Sequence, residues 1–304
     1  MNLNISKLNG AFSALISPMD DDGDLCKSTY RNFIRRQIRA GCGLVPCGTT
    51  GESATMSHQE HENVIRWCVE EAQRSNEKPF VLAGAGSNNT KEAISLSRHA
   101  ERMGVDGVLL ITPYYNKPTQ KGLYAHYAAI ASEINIPIVV YNCPGRTGGN
   151  ILPQTVQSLS EDYANIIGYK AASGNLAQIQ KVINLTHDNF VVLSGDDSLT
   201  YEIMKSGGKG VISVASNLIP ERMVQFVQLM TNNQWSEARI EHNLLQDLFH
   251  NLFIETNPAP AKYGAEILNL MSSRVRLPLV GLEPSSKTIM RSTLENLSLQ
   301  INQK

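Results

Sequence analysis

The stretch Ile166-Ile167-Gly168-Tyr169-Lys170-Ala171-Ala172-Ser173-Gly174-Asn175 puts an amine where it could do chemistry. An apolar run of strand type ends on Lys170, and a small, glycine-containing turn follows before an amphipathic segment opens at Leu176. Among apolar neighbours a lysine loses part of its basicity, from about 10.4 towards neutrality, because burial disfavours the charged form. A neutral amine is a nucleophile, and its natural partner is a carbonyl. Taken alone, the segment fits a snorkelling surface lysine better, since that is the commoner fate of a lysine at a strand end.

Other groups shift that balance. Gly48-Thr49-Thr50-Gly51-Glu52-Ser53 sets two hydroxyls between two glycines, so backbone N–H groups and threonine side chains can face one carboxylate or oxyanion. The same residues also suit an ordinary hydrogen-bonded turn before a helix. Thr112-Pro113-Tyr114-Tyr115-Asn116-Lys117-Pro118 and Tyr141-Asn142-Cys143-Pro144-Gly145-Arg146-Thr147-Gly148 each follow an apolar run. A tyrosine at a strand tip can move a proton when a hydroxyl neighbour relays it, though most such rings are simply packed. An arginine in a rigid Pro-Gly turn can clamp a carboxylate with two parallel N–H bonds.

These residues need a scaffold that brings strand ends to one face. Eight apolar runs of strand type occur, at 12–16, 43–47, 80–83, 108–112, 138–141, 166–169, 191–194 and 211–214. Helical segments separate them: Tyr30, Phe33, Ile34 and Ile38, and later Ala93, Leu96, Ala100 and Met103, recur at spacings of three and four. Ser57-His58-Gln59-Glu60 and Asn89-Thr90-Lys91-Glu92 have the form of a reciprocal N-terminal cap, and Gly41 and Gly104 mark helix stops. The pattern predicts an α/β fold, a (β/α)8 TIM barrel, whose chemistry lies where the strands end. A doubly wound sheet fits less well, because Ile16-Ser17-Pro18-Met19-Asp20 is no nucleotide fingerprint. After Val214 the rhythm turns wholly helical, at 220–230, 235–253, 260–270 and 286–297, broken at Asn257-Pro258-Ala259-Pro260. We therefore expect a catalytic barrel over 1–233 and a C-terminal helical appendage over 234–304.

At 304 residues the chain has ample length for a barrel core. With 27 basic against 28 acidic residues and a net charge of -1, nothing electrostatic favours nucleic acid or an anionic membrane as partner. Met1 to Lys7 lacks a signal-peptide pattern and no apolar run approaches a membrane span, so a cytoplasmic location is expected. Cys26, Cys42, Cys47, Cys68 and Cys143 form no C-x-x-C, which argues against a disulfide framework or a zinc site. Cys42 and Cys68 read as small core hydrophobes.

Gly48-Thr49-Thr50-Gly51-Glu52, Tyr141-Asn142 with Pro144-Gly145-Arg146-Thr147-Gly148, and Lys170-Ala171-Ala172-Ser173-Gly174 together resemble the pyruvate-dependent class I aldolase family. Leu193-Ser194-Gly195-Asp196-Asp197, Gly210-Val211-Ile212-Ser213-Val214 and the Asn257-Pro258 segment extend the likeness over nearly the whole chain. The resemblance implies that Lys170 forms a Schiff base with pyruvate, whose enamine attacks L-aspartate 4-semialdehyde, a step of diaminopimelate and lysine biosynthesis. It implies Tyr141 as proton donor and acceptor, with Thr49 and Tyr115 completing its relay, Tyr115 reaching in from a neighbouring subunit. Thr50, Gly195 and Ile212 match substrate-binding positions, and Arg146 matches the arginine for the semialdehyde's carboxylate. Neither a metal nor another cofactor is implied. Ser53, Ala54, His58, His61, Asn88, Glu92 and Tyr114 match an L-lysine inhibitory site, with Glu92 as partner for an ammonium group. A homotetramer built from two dimers is the implied assembly. Two positions depart from the family pattern: Ala171 stands where an acid usually follows the lysine, and Thr256 where a proline is common.

Other readings remain at this level. A sister lyase cleaving N-acetylneuraminate or a 2-keto-3-deoxy sugar acid would share the lysine and tyrosine but generally differ at the Arg146 turn and second threonine. His58 and His61 could be half a metal site, though no third ligand of obvious spacing follows. Gly207-Gly208-Lys209-Gly210 looks like a phosphate loop but precedes a strand, which puts it on the barrel's other face. A non-catalytic lysine or pyruvate sensor would have no need of a nucleophile.

Overall fold

In the computed structural model, residues 5–299 are described, so the first four and last five residues, including part of the N-terminal stretch and of the expected appendage, lie outside the description. The strands and helices follow one another as β1 (Gly10–Ala14), α1 (Lys27–Ala40), β2 (Gly43–Val45), α2 (His58–Arg74), β3 (Leu82–Gly84), α3 (Thr90–Met103) and β4 (Gly107–Ile111). Next come α4 (Gln120–Ala131), β5 (Ile138–Asn142), the single turn α5 (Pro144–Thr147), α6 (Pro153–Asp162), β6 (Ile166–Ala171) and α7 (Leu176–Leu185). The chain closes with β7 (Val191–Ser194), α8 (Thr200–Lys205), β8 (Gly210–Ser213), α9 (Pro220–Thr231), α10 (Trp235–Asn251), α11 (Ala259–Ile267) and α12 (Pro284–Asn296). The eight strands form one sheet in the order β2-β1-β8-β7-β6-β5-β4-β3, parallel in each register, with helices between them. This is the (β/α)8 barrel with C-terminal helices that the periodicity predicts. Among the described residues no helix is long and apolar enough to cross a membrane.

By internal contacts the chain groups into two compact units, one comprising Met1–Gly10 with Phe80–Ile212 and the other Ala11–Pro79 with Ser213–Lys304. In the first, β4 to β7 pair in close register and are buried on both faces, as parallel strands under helices must be. Gly210 starts β8 at φ +154°, and a Cβ there would lie 2.0 Å from the Gly10 carbonyl oxygen, so only glycine lets the two strands start side by side. β3 begins two residues later than the apolar run at 80–83 suggests, because the Val81 N–H is taken by the Asp106 carboxylate, 2.8 Å away. β6 runs two residues beyond the apolar run at 166–169, because Lys170 and Ala171 pair with Tyr141 and Asn142 on one side and Leu193 and Ser194 on the other.

In the second unit β1 pairs with β2, where Phe12 lies over Gly43 so closely that a Cβ would be 2.3 Å from its ring. Helix α1 buries Tyr30, Phe33, Ile34 and Ile38, the stripe read from the sequence, together with Gln37. It stops at left-handed Gly41. Helix α2 opens with the reciprocal cap of Ser57 and Glu60. The corresponding motif in the first unit is different: Asn89 caps Lys91 and Glu92, but its own N–H goes to Ser87 Oγ, and Ser87 donates onward to the Glu92 carboxylate. The C-terminal helices pack through aromatic rings, Phe226 lying 6.0 Å from His242 and 6.5 Å from Phe249. Prolines sit in the first turns of α9, α11 and α12, where a missing N–H costs nothing.

Candidate active site

In the first unit the site grows from three neighbouring strands. Tyr141 on β5 and Leu193 on β7 flank Lys170 on β6 in register. Lys170 is thereby buried, only 7% exposed. Its Nζ lies 4.2 Å from the centre of the Tyr141 ring. Burial lowers the Lys170 pKa from 10.5 to about 8; Cys143 and Asp197 work in the other direction, and Arg146 adds to the lowering. About half of the amine is thus neutral near pH 8, and a neutral amine is what captures a carbonyl.

Gly195 follows β7, donating its N–H to the Ala171 carbonyl at 2.7 Å. A Cβ on it would sit 3.0 Å from Lys170 Cε and 2.9 Å from Ala172 Cβ, so the missing side chain is what leaves the lysine its room. Ile212 is buried in β8. Arg146 is exposed on α5, whose turn is fixed by three features. Arg146 and Thr147 N–H both reach the Cys143 carbonyl, Thr147 Oγ1 donates to Gly149 O at 3.0 Å, and Gly148 is left-handed at φ 70°. Tyr115 stands 90% exposed at φ +68°, with Lys117 at φ +42° two residues on. A bulky side chain held in the left-handed region is strained, and strain of this kind gathers at functional loops.

Of the residues matched to an inhibitory site, this unit brings Asn88 and Tyr114 together. Asn88 Nδ2 donates to the Tyr114 carbonyl at 3.1 Å, and Asn116 Nδ2 returns a bond to the Asn88 carbonyl at 2.9 Å. Glu92, half-buried on α3, receives the Ser87 hydroxyl.

In the second unit Thr49, Thr50 and Gly51 form a short 3-10 turn, with Thr50 buried and Thr49 half-buried. Three side chains hold the turn. Ser17 Oγ donates to Gly51 O at 2.8 Å, Asn257 Nδ2 to Thr50 Oγ1 at 3.0 Å, and Lys262 Nζ to Glu52 Oε1 at 2.7 Å. Both members of the Lys262–Glu52 ion pair are fully buried, and the Arg276 N–H adds a bond to Glu52 Oε2 at 3.0 Å. Burial lowers the Lys262 pKa, opposed by Glu52. Glu52 itself is left-handed, at φ +60°. Ser53 and Ala54 continue into a second 3-10 turn, half-buried and exposed respectively. His58 is exposed at the start of α2, whereas His61, one turn on, is buried, so the two do not share a solvated face. Among the described residues no cluster of three or more His, Cys, Asp or Glu side chains could hold a metal.

Two sets of residues escaped the sequence reading. Asn257 stands out in the sequence only as part of its segment, whereas Lys262 carries a signal as a lone charge in the small, apolar run Ala259-Pro260-Ala261-Lys262. The amides of Asn142, Asn150 and Gln178, which bond to one another around the Arg146 turn, carry no such signal.

Residues 7–297 match the model of the dihydrodipicolinate synthetase family. A 4-hydroxy-tetrahydrodipicolinate synthase from Nitratidesulfovibrio vulgaris (strain DSM 19637 / Miyazaki F) is 45% identical over 95% of this chain and 98% of its own. The crystal structure of dihydrodipicolinate synthase from Aquifex aeolicus superposes with a TM-score of 0.94 at 39% identity, covering 97% of this chain and 99% of that one. The enzyme from Cyanidioschyzon merolae, crystallised with lysine bound, superposes with a TM-score of 0.93 at 35% identity, covering 96% and 99%.

Proposed function

The chain belongs to the dihydrodipicolinate synthetase family, and on that premise we propose that it condenses pyruvate with L-aspartate 4-semialdehyde to give 4-hydroxy-tetrahydrodipicolinate. The observation that carries the reading is the buried Lys170 amine, its pKa near 8, 4.2 Å from the Tyr141 ring. Lys170 adds to the ketone of pyruvate and water leaves, giving a Schiff base. Loss of a methyl proton turns this into an enamine, which attacks the semialdehyde's aldehyde carbon while the aldehyde oxygen takes up a proton; the semialdehyde's amino group then displaces the Lys170 amine from the imine carbon, closing the ring and freeing the lysine. Tyr141 serves as proton donor and acceptor, with Thr49 and Tyr115 as relay hydroxyls. Thr50, Gly195 and Ile212 serve pyruvate, and Arg146 takes the acceptor's carboxylate, the pairing for which a guanidinium is suited. None of these steps calls for a metal or an organic cofactor.

Regulation and assembly belong to the same proposal. Ser53, Ala54, His58, His61, Asn88, Glu92 and Tyr114 are assigned to L-lysine, a reading supported by the lysine-bound Cyanidioschyzon merolae relative and by the Asn88–Tyr114 pairing. The 90% exposure of Tyr115 on a strained loop supports its use by a second subunit, hence at least a dimer and, by family likeness, a tetramer in the cytoplasm.

The test is a coupled assay with pyruvate and aspartate semialdehyde, run beside N-acetylneuraminate cleavage and repeated with Lys170→Ala. Turnover of the first pair, abolished by the substitution, is expected. Cleavage of N-acetylneuraminate without that turnover would move the assignment to a sister lyase.

A further inference from the structure

We propose that Asn142 is a positioning residue that sets which acceptor the enzyme takes, by closing the loop that carries Arg146 and tying it to the strand that carries Lys170. The inference rests on the reading of Arg146 and Lys170 given above and deepens it.

Asn142 is the last residue of β5, fully buried and adjacent in sequence to Tyr141. Its Oδ1 accepts the Ile151 N–H at 3.3 Å, which bridges the loop across nine residues. A backbone N–H can only donate, so that bond fixes which end of the Asn142 amide is oxygen. The amide nitrogen then faces two acceptors, Asn150 Oδ1 at 2.7 Å and Tyr169 Oη at 2.9 Å. Tyr169 immediately precedes Lys170 on β6, and the Asn142 carbonyl accepts the Ala172 N–H at 3.0 Å just beyond it. One residue therefore holds the side-chain hydroxyl of the residue before the nucleophile, the backbone N–H two residues beyond it and the far end of the arginine's loop.

The outer half of the network is equally determined. Asn150 and Gln178 exchange two amide bonds, Nδ2 to Oε1 at 2.9 Å and Nε2 to Oδ1 at 3.0 Å. Gln178 lies in the first turn of α7, held there by its N–H bond to the Asn175 cap. From the other side Gln120, at the start of α4, takes the Leu152 N–H at 2.9 Å and donates to Asn150 O at 2.7 Å. With both ends of the loop pinned, α5 is left one orientation, and the span from Lys170 to Arg146 becomes a fixed length. An enamine on Lys170 can then reach only an aldehyde whose carboxylate lies that far away. Misplacement of such a clamp by a fraction of an ångström lowers the rate steeply, whereas the capture of pyruvate, which needs only the amine, is untouched.

The experiment compares wild type with Asn142→Ala and with Gln178→Ala, a half-buried position whose loss leaves the strand intact. Two quantities are read: the pyruvate concentration for half-maximal borohydride trapping, and KM for aspartate semialdehyde. Both variants are expected to raise the semialdehyde KM on the order of tenfold while pyruvate trapping stays as in wild type. In an Arg146→Ala background neither should raise it further, because the route through the arginine is already gone. Equal losses in trapping and in acceptor KM, or additive losses in the Arg146→Ala background, overturn the inference while leaving the reaction in place. A wild type that traps no pyruvate, or traps it and consumes no semialdehyde, refutes the functional reading and this inference with it.

Discussion

An amine attacks a carbonyl only when it is neutral, and here neutrality comes from burial rather than from a neighbouring base. Lys170 has its pKa lowered to about 8 chiefly because β6 carries it among apolar strands. The sign of the pH dependence follows. Below about 8 the neutral fraction falls about tenfold per pH unit, so the initial rate of borohydride trapping with pyruvate should climb with pH and level off above that value. A pH-independent rate from 6 to 9 would contradict this account of the lysine. Gly195 makes a second residue-level prediction: Gly195→Ala, whose Cβ would stand 3.0 Å from Lys170 Cε, should block trapping while the protein still melts cooperatively. The placing of Lys170 and Tyr141 near strand ends was legible in the sequence because each ends an apolar run. The reason for Gly195 was not, since contact across neighbouring strands leaves no trace in local spacing.

At the scale of elements, the 3-10 turn bearing Thr49 and Thr50 is fixed by α11 and by the segment just before it. Lys262→Met leaves the Glu52 carboxylate buried without its cation and should cost about 3–5 kcal/mol in urea unfolding. Adding Glu52→Gln to that variant should recover a large part of the loss, because the remaining group is then neutral. If the double variant were no more stable than the single one, charge burial would not be the cause. Strand number and the α1 stripe came from periodicity and the helix stops from Gly41 and Gly104, whereas in α3 Ser97 is buried beside Ala93 and Ala100 and the expected Leu96 and Met103 are half-buried; β3 starts late where Asp106 competes for a ladder N–H. The C-terminal helices were legible as helices, but not as the support of the turn that bears Thr49 and Thr50. That link joins Thr50 to Asn257 and Glu52 to Lys262 across some two hundred residues of chain, which pattern reading cannot bridge.

For the whole molecule, stability depends in part on a group remote from the proposed chemistry. His126 on α4, its Nδ1 2.9 Å from Thr90 Oγ1, has its pKa lowered by burial from 6.5 to about 4. The unfolded chain therefore takes up this proton at a higher pH than the folded one. Stability is lost as pH falls through the window from 6.5 to 4, by up to about 3 kcal/mol. His126→Gln, which keeps a polar partner for Thr90, should flatten that part of the acid-stability curve measured by thermal unfolding; an unchanged curve would assign the acid sensitivity elsewhere. On the proposal that Tyr115, exposed on its strained loop, completes the relay of a second subunit, dilution to monomer should abolish turnover, and a fully active monomer in sedimentation would contradict the shared relay.

The most direct test of the central claim is the mass of the protein after incubation with pyruvate and borohydride, followed by peptide mapping. The account predicts one pyruvate-derived adduct per chain, located on Lys170 and absent from Lys170→Ala. No adduct, or one that persists in Lys170→Ala, would contradict it.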